Sequence, residues 1–464
     1  MRLTGEVIAT ATGARMAAGD PARTVSGFSI DSRTLAPGDL FFAIRGARLD
    51  GHRFVGAALA AGASGVVVSD AAAAASAPEG ALALVVGDTT TALQALARHV
   101  RRASGATVVA ITGSAGKTTT KEVTAELLAA RYRVIRNRGN LNNHIGLPLS
   151  LLELASGPDV AVVELGMNHA GEISTLVSIA EPEVRVWTNV GDAHLGFFAS
   201  ADALAAAKAE ILERADAGTL LVASRDDARV MAHVPRFGGR VVTFGLGKGA
   251  DVRAQAIEDL GLDGSRARVE TPAGPVTIET RLAGTGNLAN VLAAVAVATA
   301  LDVPLDQVAG RAAAARPASH RGEVLRLPGG VTVLDDSYNS SPAALALSLA
   351  LVAGAGGFAR KIAVLGEMLE LGDHAVGLHE ASGRRAAAAG VDQLIAVGGA
   401  AAGALAAAAR AAGLPADAVR HVATSEVAAD LAAASVRPGD LVLVKGSRGI
   451  ATDRVVDRLR TEFS

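Results

Sequence analysis

Five short apolar runs recur along the middle of the chain, at 107–111, 160–165, 184–190, 220–222 and 241–244, with helical stretches between them. A run that is apolar on both faces must be covered on both faces, and strands that alternate with helices pair in parallel. The pattern predicts a mainly parallel sheet with helices on each side. Residues 266–270 and 276–282 instead alternate, which predicts antiparallel strands, and a helix follows over 287–301. The first hundred residues read as a smaller α/β unit, with strands at 41–44 and 65–69 and a helix at 89–103. A Pro/Arg-rich joint at 316–321 precedes a renewed alternation, with strands at 331–334, 362–365, 394–397 and 441–444 and Ala-rich helices between. A chain of 464 residues has room for about three domains. The expected fold class is therefore α/β in three domains: a small N-terminal domain over 1–103, a central domain over 104–315, and a C-terminal Rossmann-like, doubly wound domain over 316–464.

Composition removes several function classes. Lys plus Arg total 44 and Asp plus Glu 46, a net charge of −2, and aromatic residues make up 3%, so no nucleic-acid partner is expected. There is no Cys, which excludes disulfides, zinc–thiolate sites and cysteine nucleophiles. The uncharged stretch 394–409 is too short and too rich in Ala and Gly for a membrane span; it reads as a strand and a helix, so no membrane insertion is expected. Glu6 interrupts the place where the apolar run of an export signal would lie. The expected location is cytoplasmic. Lys occurs only at 117, 121, 208, 248, 361 and 445, against a background of Arg, so each Lys is a candidate for chemistry that Arg cannot perform.

The sharpest local motif is Thr112-Gly113-Ser114-Ala115-Gly116-Lys117-Thr118, between an apolar strand and a helix expected over 121–130. Loop amides and a helix N-terminus together form a phosphate cradle. Lys117 would reach the β/γ-phosphates and the Thr118 hydroxyl would ligate Mg²⁺. The glycine spacing is shorter than the usual P-loop, because Ile111 stands where the first Gly would be. Glu164 ends the next buried strand on the edge where open α/β sheets bind ligands, and offers Mg²⁺ a second oxygen ligand; a solvated strand end is the plain alternative. His194 follows another strand end and is either a ligand or structural. Lys208 lies on the apolar stripe of a helix with Leu204, Ile211 and Leu212. A buried amine there would have a lowered pKa and could react with CO₂ to give a carbamate; a Lys snorkelling at the stripe edge fits the periodicity equally. Asn287 and Asn290 share a helix face near its start, where capping would explain the first. Arg321 suits a phosphate clamp or an exposed linker. Asp335 and Asp336 end a strand as an expensive acidic pair. Lys445 to Arg448 end the last strand as an anion site or a basic turn.

Taken together, these segments resemble the Mur ligase family, in order, over nearly the whole chain. The family's P-loop variant matches 112–119, its acidic strand end Glu164, its His His194, its carbamylated Lys Lys208, its adenine-side asparagines Asn287 and Asn290, and its hinge Arg Arg321. The resemblance implies that ATP is held by Gly113, Ser114, Ala115, Gly116, Lys117, Thr118, Thr119, Asn287, Asn290, Arg321 and Asp336. It implies two Mg²⁺ ions on Thr118, Glu164, His194 and a carbamylated Lys208, with Lys117, Lys208, His194 and Arg321 as the catalytic groups. The segments 335–342, 365–372 and 140–148 resemble the member that adds D-alanyl-D-alanine, and no DNP-type diaminopimelate motif occurs. The implied reaction joins that dipeptide to UDP-N-acetylmuramoyl-tripeptide through an acyl phosphate, giving the pentapeptide precursor of peptidoglycan. Ser29, Asp31, Ser32, Arg33, Arg45, Gly46 and His52 would bind the UDP-linked substrate, and Asn339, Lys445 and Arg448 the dipeptide. A monomer is expected. One departure is visible: Gly286 stands where the family usually has His.

Overall fold

The computed structural model describes every residue except 47, 193 and 194 and the side chain of 195, and builds three sheets along the chain. The first has the order Arg15–Ala18, Leu82–Val85, Gly65–Val68, Asp39–Phe42, Gly27–Ser29. Its outer strand Arg15–Ala18 is antiparallel and the others are parallel. The helix Thr89–Ser104 leaves this sheet. Asp88 caps its start by accepting from the Thr91 amide at 2.6 Å, and Gly105 ends it in the left-handed region. Leu93 and Leu96 on this helix share one core with Leu82 of the first sheet and Val108 of the second, so the two sheets are joined through buried apolar surface.

The second sheet has nine strands. Val134–Arg136, Val160–Glu164, Thr107–Thr112, Val184–Trp187, Leu220–Ser224, Arg240–Gly245 and Val252–Asp259 follow one another in parallel. Ser265–Thr271 and Gly274–Thr280 continue the sheet antiparallel, as the alternation predicts. The strand Thr107–Thr112 lies between Val160–Glu164 and Val184–Trp187, so the chain turns to opposite sides after it. Its C-terminal end is the switch point where an α/β sheet opens a crevice. Val252–Asp259 and Val134–Arg136 escape the sequence pattern. The outer half of Val252–Asp259 is exposed and charged, and Val134–Arg136 is a three-residue edge strand, so neither presents a continuous apolar run. The third sheet runs Glu323–Arg326, Thr332–Asp336, Leu441–Lys445, Lys361–Gly366, Gln393–Val397, Val419–Val422, parallel except for Glu323–Arg326. The 394–409 stretch is a strand followed by the helix Ala400–Ala411, and no described helix is long and apolar enough to cross a membrane.

Several contacts set the third sheet against the second. Leu262, on the turn before Ser265–Thr271, is buried among Leu334, Leu345 and Leu349. Beside it Arg326 pairs with Asp263 at 2.6 Å. Farther away the Gly196 amide donates to the Glu370 carbonyl at 2.9 Å.

Arg185 is a buried cation on the strand Val184–Trp187. Its guanidinium donates to the carbonyls of Ile211, at 2.5 Å, and Glu213, where the segment carrying Lys208 ends. Burial pushes its pKa down to about 10, against the pull of Asp216 and Glu213. Arg185→Met would leave the buried Ile211 carbonyl and the part-buried Glu213 carbonyl without this donor, at a cost of about 3 kcal/mol. A drop of roughly 5–10 °C in melting temperature is expected by calorimetry; an unchanged transition would refute this role.

Candidate active site

The crevice at the switch point widens into a cleft of about 760 Å³ between the second and third sheets. Its floor is the loop 113–116. A Cβ on Gly113 would lie 1.9 Å from Thr188 Oγ1, and one on Gly116, at φ +79°, 2.2 Å from Asn290 Oδ1. Both glycines are therefore required by close neighbours. The neighbouring strand end holds the loop down. Asn189 accepts from the Ala115 amide at 2.9 Å and donates to its carbonyl at 3.0 Å, and the Ser114 amide donates to the Asn189 carbonyl at 3.1 Å. The helix opens at Lys117, four residues earlier than expected, and runs over Lys117–Leu128. With the Ser114 and Ala115 amides engaged, the orphan donors of the site are the first amides of this helix.

Lys117 and Lys208 meet at one atom: their ammonium groups donate to the Gly113 carbonyl at 2.9 and 3.2 Å. Ser200 caps the helix Ala201–Lys208 by accepting from the Ala203 amide at 3.1 Å, and the following residues Ala209–Leu212 tighten into a 3₁₀ turn. Lys208 is 1% exposed. Burial pushes its pKa well below the ordinary lysine value, Lys117 adds to the effect, and Glu164 opposes it. The Lys117 pKa is also lowered, chiefly by burial, with Glu164 opposing and Arg321 adding. Glu164 Oε2 accepts from Thr118 Oγ1 at 2.7 Å, and Oε1 accepts from Asn142 Nδ2 at 2.9 Å. Burial alone would raise the Glu164 pKa. Lys117, the Thr118 hydroxyl and Arg321 outweigh it, so the carboxylate stays ionised.

The opposite wall belongs to the third sheet. The Arg321 guanidinium stacks on the Tyr338 ring, 4.0 Å from its centre, and Arg448 approaches the same ring at 5.7 Å. The acidic pair is resolved by separate partners. Asp335 is buried against His320 Nδ1 at 2.8 Å and Ser337 Oγ at 2.6 Å, whereas Asp336 meets Lys445 Nζ at 2.5 Å and Ser348 Oγ at 2.8 Å.

Three family models match the chain: the Mur ligase middle domain over 111–298, the Mur ligase glutamate ligase domain over 320–448, and the Mur ligase family catalytic domain over 24–101. The chain belongs to the Mur ligase family. Among its relatives, the UDP-N-acetylmuramoyl-tripeptide–D-alanyl-D-alanine ligase of Synechocystis sp. is 36% identical over 94% of this chain and 92% of that protein. The enzyme of the same name from Treponema pallidum is 35% identical over 98% of both. In structure, MurF from Acinetobacter baumannii aligns with a TM-score of 0.87 and 30% identity over 99% of both chains. MurF ligase from Thermotoga maritima, solved in complex with ADP, aligns with a TM-score of 0.81 and 30% identity over 94% of this chain and 97% of that one.

In this Mur ligase the cleft gathers Ser114 to Thr119, Glu164, Lys208, Asn287, Asn290, Arg321, Asp336, Asn339, Lys445 and Arg448. His194 lies outside the described residues. Asn287 does not cap its helix: Gly284 holds the cap position, and Asn287 Nδ2 donates back to the Ala283 carbonyl. Within the third domain Lys445 pairs with Asp336 at 2.5 Å, and Arg448 with Asp453 at 2.9 Å. The residues expected to bind the UDP-linked substrate lie on the first domain and do not line this cleft. There Asp31 pairs with Arg33 and Arg45 with Asp50, and Ser29 Oγ donates to the Asp31 carbonyl at 3.0 Å. His52 uses both ring nitrogens locally, with Asp50 at 2.6 Å and the Ser69 amide at 2.9 Å. Asn142 and Asn189, absent from the sequence-based site, hold Glu164 and the P-loop. Asn142 stood within the quoted segment 140–148, but only the fold brings it to Glu164.

Proposed function

We propose that this chain is an ATP-dependent, ADP-forming ligase that joins D-alanyl-D-alanine to UDP-N-acetylmuramoyl-tripeptide. The observation that carries this reading is full-length similarity to ligases of that name, on a chain whose cleft brings Lys117 and Lys208 to one P-loop carbonyl. The tripeptide carboxylate oxygen attacks the γ-phosphorus, the bond to the β,γ-bridging oxygen breaks, and ADP departs with that electron pair. The dipeptide ammonium gives one proton to water and its free amine adds to the acyl carbon; the tetrahedral intermediate gives up a second N–H proton to water and collapses to the amide, expelling phosphate. The physical difficulty is bringing a carboxylate to a triphosphate. Lys117 and Arg321 lower that barrier by placing fixed positive charge where negative charge collects. Tyr338 holds Arg321 flat against the cleft wall.

Thr118 and Glu164 supply adjacent hard oxygens, which suits Mg²⁺ shared with phosphate oxygens and water. Among the described residues no group of three His, Asp or Glu assembles, so a second ion would depend on a carbamylated Lys208 together with His194. The low-pKa amine of Lys208 fits carbamate formation, because only the neutral amine reacts with CO₂. When bound, the metal supplies charge neutralisation at the phosphoryl group. The domain limits 1–103, 104–315 and 316–464 and a cytoplasmic location belong to the same reading. The test is phosphate release from ATP by purified protein. Release is expected only when the UDP-linked tripeptide and the dipeptide are both present; equal release without either would refute it.

A further inference from the structure

Ser340 stands on the cleft wall, is 7% exposed, and its hydroxyl has no hydrogen-bond partner. Among the buried, unpartnered side-chain atoms of the described residues, it is the one that belongs to a cleft-lining residue. Buried hydroxyls ordinarily find partners, so an unpaired one beside a reaction cleft calls for a ligand. It immediately precedes the start of the 13-residue helix Pro342–Gly354. Ser341 caps that helix by accepting from the Ala344 amide at 3.4 Å, and Pro342 has no N–H, which leaves the Ala343 amide without an intrahelical acceptor. This end faces the P-loop: a Cβ on Gly191 would lie 3.5 Å from Ala343 Cβ and 3.7 Å from Ser114 Cβ. The positive end of a helix dipole and an unused donor thus stand opposite the phosphate cradle.

We propose that the Ser340 hydroxyl and the start of the helix Pro342–Gly354 bind a reacting oxyanion, making Ser340 a substrate-contacting residue of the third domain. The oxyanion is either the phosphoryl group in transfer or the carboxylate of the incoming dipeptide. This inference rests on the ligase reading and names one more group in the same site.

Ser340→Ala tests it, with melting temperature measured beside steady-state kinetics for ATP, the UDP-linked tripeptide and D-alanyl-D-alanine. An unpartnered hydroxyl contributes nothing to the resting fold, so the melting temperature is expected to hold while activity falls roughly 10- to 100-fold, the worth of a hydrogen bond to a charged group. Ser340→Cys, which keeps the volume but is a weak donor, is expected to fall similarly. A raised KM for the dipeptide, with the loss vanishing on D-alanyl-D-alaninamide, identifies the carboxylate. A lowered kcat that persists with the amide identifies the phosphoryl group. Wild-type kinetics in both variants would overturn the proposal, and a wild-type protein inert with all three substrates would instead overturn the ligase reading.

Discussion

Lys117→Ala is expected to lower kcat/KM for ATP by at least about 100-fold, the scale seen when one preorganised donor to developing charge is removed. The Lys117 ammonium makes a single hydrogen bond, to the Gly113 carbonyl, and half-faces the cleft, so its loss leaves the core packing intact. Its positive charge competes with burial and with the nearby Arg321, a conflict that an arriving triphosphate relieves. Lys117→Arg is expected to rescue little. The guanidinium is a wide planar fork, and the ammonium sits beneath a loop closed by Thr188 and Asn290. Calorimetric titration with ATP separates binding from turnover. Unchanged affinity and unchanged kcat in Lys117→Ala would remove the P-loop from the mechanism.

Lys208→Ala is expected to cost about 1,000-fold in kcat. Lys208 is buried with one carbonyl partner and a strongly depressed pKa, so Ala removes a group that contributes little to stability as an amine. Millimolar short-chain carboxylates are expected to restore part of the activity by supplying the missing oxygens. A second readout avoids turnover altogether. Wild-type protein in ¹³C-bicarbonate is expected to show a carbamate carbon resonance that Lys208→Ala lacks. An Ala variant that is fully active without additives, or a wild-type spectrum without the resonance, would end the carbamate reading.

Much of the fold was legible because long apolar runs can satisfy their backbone and side chains in few ways. The parallel core strands of the second and third sheets follow the runs closely. Edge strands such as Val134–Arg136 were illegible because a strand that touches solvent on one side needs no apolar signature. The site shows the same division. The P-loop and Glu164 announce themselves by motif and by a charge at the end of a buried strand. The state of Lys208 was undecidable from periodicity, since a stripe-edge lysine and a buried one occupy the same helical position. Burial at 1% exposure decides between them, and that burial comes from the packing of the second sheet. Arg185 reads as an oddity in an apolar run until the fold brings it to the carbonyls that end the Lys208 segment.

Alone, the amino-acid order determined the three α/β units, the glycine-rich loop before Lys117 and the family, because these depend on local periodicity and on contiguous motifs. Only the tertiary structure decided which charges are free. Lys445 and Asp336 lie 109 positions apart yet pair across adjacent strands, His52 is engaged by Asp50 and Ser69, and Lys117 and Lys208 converge on one carbonyl. Pairing energies depend on distance and desolvation, and neither is a property of sequence spacing.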